Sequence, residues 1–137
     1  MSIDVLQEKI RKTKCPVMLE LAAAPADLPE AILQAEPTEA GAYERVCREL
    51  LEALKGEIPA VRFSFASFAL LVPEGLAVLT GVLKLAKRLG YYVVLDGPEI
   101  LGVRSAKNAA QRLFGADSPF PCDGVVLNAY LGSDGIA

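Results

Sequence analysis

Apolar residues fall into two patterns along this chain: short continuous runs, and stripes at helical spacing. Val17 to Leu21 is an apolar run with one charge, Glu20, the pattern of a strand buried on both faces. Ala60 to Phe65, Tyr91 to Leu95 and Gly124 to Leu127 are further runs, and the aromatic and β-branched residues of Tyr91 to Leu95 favour a strand most. The stripes lie between the runs. Ile3, Leu6 and Ile10 share a face of a helix over Ile3 to Lys12, with Ser2 as its cap and Arg11, Lys12 and Lys14 at its negative end. Tyr43, Val46, Cys47, Leu50, Leu51 and Leu54 predict a helix from Glu39 to Lys55, stopped by Gly56. Pro73 opens another, with Leu76, Leu79, Val82, Leu83 and Ala86 as its apolar face and Gly90 at its end. A last helix over Ser105 to Phe114 stops at Gly115, and the proline-rich stretch Ala22 to Thr38 reads as a long loop with one helical turn around Glu30 to Ala35.

Strands alternating with helices, joined by connections long enough for crossovers, predict an α/β protein whose parallel sheet is covered by helices. The pattern does not separate an open doubly wound sheet from part of a barrel, since both use the same right-handed unit. An unrelated flavodoxin-like domain with Asp96 as its acidic site is one version of the open sheet. No Gly-x-Gly-x-x-Gly or Walker loop follows any strand, which argues against a nucleotide-binding open sheet.

Composition narrows the chemistry. With 137 residues, 53% hydrophobic and 23% charged, the chain predicts a single domain over residues 1–137. It contains no histidine, which removes Ser-His-Asp and Cys-His catalysis and histidine zinc ligands. The net charge of −3 offers no broad basic surface, so no nucleic-acid partner is expected. Cys15, Cys47 and Cys122 are widely spaced and read as reduced, buried apolar residues. No apolar run is long enough to span a bilayer and the first residues lack a secretion signal, which predicts a cytoplasmic protein with no membrane partner.

Ligands of parallel α/β folds meet the carboxyl ends of the strands. Those positions here are Ala22, Ala66 to Phe68, Asp96 to Glu99 and Asn128 to Asp134, with Arg62 inside the second strand. Asp96 with Glu99 fits a carboxylate pair for acid–base work or for holding Mg²⁺ through its waters; Asp96 equally fits a strand end that caps the next turn. Arg62 fits an anion contact or a structural ion pair with Asp96 across neighbouring strands. The donor-rich stretch Asn128 to Gly135 fits a polar ligand or a plain loop.

Several segments together resemble a known family. Met1-Ser-Ile-Asp, Leu6-Gln-Glu-Lys-Ile-Arg-Lys-Thr-Lys14, Ile58-Pro-Ala-Val-Arg62, Pro73-Glu-Gly-Leu76, Val94-Leu-Asp96 and Val126-Leu-Asn-Ala-Tyr-Leu-Gly-Ser-Asp-Gly135 are similar, in order and spacing, to the bacterial type of orotidine 5′-phosphate decarboxylase. The last piece resembles the family's Val-Asn-Pro-Tyr-Leu-Gly loop with Ala129 in place of proline. The resemblance implies the N-terminal half of a TIM (β/α)8 barrel, a (β/α)4-like unit with a short N-terminal helix. It also implies a role in pyrimidine biosynthesis, with orotidine monophosphate decarboxylated to UMP without a cofactor and a nucleotide monophosphate as ligand. Asp96 and Arg62 would then stand at catalytic positions, and Asn128, Tyr130, Gly132 and Ser133 at substrate-binding ones.

The resemblance breaks down at the charged array. In the family, a lysine on strand two and an Asp-x-Lys-x-x-Asp array after strand three supply positive field and a proton donor. Here Arg62 replaces the strand lysine, Pro98 the catalytic lysine and Ala22 the strand-one aspartate. The second aspartate falls on Leu101, or on Ile100 with one deletion, and Glu99 stands where the family has arginine. This predicts weak decarboxylation or none, and leaves a noncatalytic binding or assembly module as the alternative. Four strands are half of a barrel of roughly 250 residues, so either a homo-oligomer or a missing C-terminal half is expected to cover the open edges.

Overall fold

The computed structural model describes residues 2–22, 24–100, 106–115, 117–128, 130 and 132, with backbone only for 99, 106 and 107. Four parallel strands, β1 (Met18–Leu21), β2 (Ala60–Ser64), β3 (Tyr92–Asp96) and β4 (Gly124–Val126), lie side by side in the order of the sequence. The helices are α1 (Ser2–Thr13), α2 (Glu30–Ala35), α3 (Glu39–Ala53), α4 (Phe65–Ala69), α5 (Gly75–Leu89) and α6 (Ala106–Phe114). Sequential order is that of a barrel wall. A doubly wound sheet reverses direction at a switch point, so the open-sheet and flavodoxin-like readings fail here.

Period-two alternation decides what each face meets. Val61, Phe63, Val93 and Leu95 point to the helix-covered side and are at most 1% exposed, packing with Tyr43, Cys47 and Leu51 of α3 and Leu79, Val82 and Leu83 of α5. Arg62, Ser64, Val94 and Asp96 occupy the other face and are only partly covered. The expectation of a first strand buried on both sides is therefore wrong: in β1 Leu21 is buried while Met18 is 40% exposed. Its apolar run is that of a wall whose second face is only partly covered among the described residues.

Other expectations shift by a turn or a face. Thr38 caps α3 by accepting from Gly41 N–H at 3.0 Å, and Gly90 caps α5 in the left-handed region at φ +92°. The α3 helix ends at Ala53 with Leu54 as its cap, so Gly56, at φ +83°, shapes the following turn and does not stop the helix. Leu50 and Leu76 are exposed, and Val78 and Leu85 join the core in α5, which packs against α3, α4 and β3. Phe65 leaves the strand to start α4, capped by Ser64 Oγ on Ser67 N–H. Ser2 is not a free cap: its hydroxyl lies 2.8 Å from Tyr92 Oη and donates to the Asp123 carbonyl at 2.8 Å, tying α1 to the amino ends of β3 and β4. Cys47 is buried, while Cys15 and Cys122 are only half-buried; none forms a disulfide.

Candidate functional site

Parallel register sets the site. Glu20 stands opposite Arg62, and Arg62 opposite Val94, so residues 20, 62 and 96 share one face of three adjacent strands at their carboxyl ends. A guanidinium reaches across such a sheet to carboxylates on both neighbours. Arg62 Nη2 donates to Asp96 Oδ2, and Arg62 Nε lies 3.4 Å from Glu20 Oε1. The Asp96 hydrogen bond, more than the coulombic pull of Asp96 and Glu20, pushes the Arg62 pKa above its ordinary value, so the cation never releases its proton at neutral pH. One cation between two carboxylates leaves a site with negative charge in excess.

The ion-pair reading of Arg62 and Asp96 made from the sequence is what the geometry shows. Asp96 is the last residue of β3 and does not follow it. The Glu99 side chain lies outside the described residues, so its pairing with Asp96 is not visible. Among the described residues no cluster of three acids or cysteines is placed to hold a metal ion. Glu20 is the member that sequence reasoning missed. Its signal was register: a charged residue next to last in the first strand, level with Arg62.

The loop positions behave differently. Asn128 Oδ1 accepts from Tyr130 N–H at 3.0 Å in a local turn, Tyr130 is 98% exposed, and Gly132 takes the left-handed φ of +72°. Ser133 and Leu101 lie outside the described residues. Ala22 offers a carbonyl that accepts from Ser67 Oγ at 3.2 Å. Just past the ends of β1 and β2 there is thus a hydroxyl bonded to a carbonyl, and Pro98, two residues beyond Asp96, is exposed.

No protein-family model matches the chain. It is 32% identical over 101 residues to the orotidine 5′-phosphate decarboxylase of Rhodopirellula baltica, covering 71% of this chain and 33% of that protein. A Toxoplasma gondii structure assigned to orotidine-monophosphate decarboxylase superposes with a TM-score of 0.79 at 23% identity, covering 97% of this chain and 42% of that one. The UMP synthase of Leishmania donovani gives 0.74 at 23% identity, over 98% of this chain and 26% of that one. The chain thus spans about a third of its curated relative's length.

Sheet order, carboxyl-end site and structural neighbours define an α/β protein of the parallel-barrel class, of which this chain covers a part. Within that class the motif resemblance is matched by sequence similarity to an orotidine 5′-phosphate decarboxylase over 101 residues. No described helix is long and apolar enough to cross a membrane.

Proposed function

We propose that this chain is a decarboxylase-like half barrel of pyrimidine biosynthesis that, on its own, releases little or no CO2 from orotidine monophosphate and acts as a pseudoenzyme. The observation that carries this reading is Arg62 held between Glu20 and Asp96. Decarboxylation leaves a ring carbanion that needs nearby positive field and an acid to protonate it. The net negative site repels a carboxylate substrate. Pro98, at the lysine position of the family, has no proton to give, and an arginine is a weaker acid than lysine by at least about two pKa units, or about 3 kcal/mol of driving force. The test is release of CO2 from orotidine monophosphate by the purified chain. The expected rate equals that of an Asp96→Ala variant; a rate clearly above that variant overturns the proposal.

A second reading concerns assembly, and the partly covered sheet face favours it. Met18 is 40% exposed on that face, Val94 and Val126 are partly exposed, and β1 and β4 each pair on one side only among the described residues. Another four-strand unit related by an axis along the strands would pair β4 with β1 at both seams, close eight strands and bury this face. A second copy of the chain supplies that unit. Light scattering should give twice the 14.6 kDa chain mass, and a monomer at working concentration would exclude it.

A further inference from the structure

At the end of the sheet opposite Arg62, a cleft of about 320 Å³ opens where the last turns of α1, α3 and α5 converge. Its walls include Ile58, Pro59, Leu89 and Tyr91, and the Tyr91 hydroxyl is already committed to the Leu51 carbonyl at 2.6 Å. Lys9, Lys12 and Lys55 also line it, brought from two separate elements, and no acidic residue does. Lys9 Nζ donates to the Gly90 carbonyl at 2.6 Å, which holds one ammonium at the rim. The ion pairs of the described residues engage Arg45, Arg48, Arg62 and Lys87, so Lys12 and Lys55 have no carboxylate partner there. Glu8 and Glu57, the acids closest in sequence, line no part of the cleft and form no ion pair among the described residues.

Cations at helix carboxyl ends have an ordinary role, which is to offset the macrodipole. Each helix end carries about half a negative charge, so the ends of three helices account for about one and a half. Three ammonium groups exceed that. In a protein of net charge −3, a local surplus of positive charge around an apolar hollow is an arrangement for an anion with an apolar body. The volume lies at the lower end of ligand sites, about 300 to 1,000 Å³, which suits one ring or a short chain. We propose that this cleft binds a small amphipathic anion, a single ring or short alkyl group bearing one carboxylate or phosphate.

The test titrates the full chain with phenyl phosphate, benzoate and benzyl alcohol while backbone amide shifts are followed by NMR. Saturable shifts at Gly56, Gly90 and Tyr91 are expected with at least one of the two anions and not with the alcohol, and which anion binds distinguishes phosphate from carboxylate recognition. A variant carrying Lys12→Glu and Lys55→Glu should bind at least tenfold more weakly while keeping its circular dichroism; should it fail to fold, Lys55→Gln alone should weaken binding severalfold. Three results overturn the proposal: neither anion saturates, the alcohol binds as well as the anions, or the shifts centre on Arg62 and Asp96.

Discussion

Cys47 has no exposed surface, and burial pushes its thiol pKa from 9.0 up to about 12. The folded chain therefore keeps that proton to higher pH than the unfolded chain does. Stability from this group is complete below about pH 9 and is lost as the pH climbs toward about 12, a loss on the order of 4 kcal/mol. Cys122, raised to about 11 mainly by burial, acts in the same direction. Urea midpoints should fall between about pH 8 and about pH 10.5, and Cys47→Ala should flatten that fall while lowering the midpoint at neutral pH through the cavity it leaves. Arg62 permits a second expectation. Arg62→Met leaves Glu20 and Asp96 as like charges without their shared cation; with the Arg62 side chain 36% exposed, the loss is about 1 kcal/mol or less and shrinks in high salt. Urea melts at low and high salt measure it, and equal losses at both would show that the trio contributes packing and not charge.

Two glycines of α5 make opposite predictions from one helix. A Cβ at Gly75 would stand 1.8 Å from the Phe68 carbonyl oxygen, so Gly75→Ala must push α4 away from α5, at a cost of about 2 kcal/mol or more. A Cβ at Gly81 meets nothing closer than 3.8 Å, so Gly81→Ala should stabilise by about 0.5 to 1 kcal/mol through helix propensity. Thermal melts of the two variants should move in opposite directions. Much of the element pattern was legible in sequence, because α3 and α5 carry long stripes and end near Gly56 and Gly90. The α4 helix was not, being five residues of apolar sequence that continue a strand without a change of composition. The stripe of α5 was drawn too narrow, leaving out Val78 and Leu85, because neighbours on three sides widen the buried arc beyond one face. At the site, the Arg62 and Asp96 pairing was readable from two adjacent strands, while Glu20 required the register of a third.

Over the whole molecule, one side of the sheet is sealed by helices and the other carries Met18, Arg62 and Asp96 with partial cover. Should copies close over that side, Met18→Lys places a charge inside the joint and should halve the mass seen by light scattering, with no loss of chain stability at dilution where the chain is single. An unchanged dimer would place the joint elsewhere. The same feature bears on the site, since Glu20, Arg62 and Asp96 lie on the face that would become the interior.

The strand order has a consequence for how the chain comes to be folded. Each strand hydrogen-bonds to the one made just before it, and none must wait for a distant later segment to be inserted between neighbours. The sheet can grow at one advancing margin as the polypeptide emerges, every new strand and its crossover helix docking on a template already in place. β4 then presents the same kind of margin that received it, so the wall is by construction extensible.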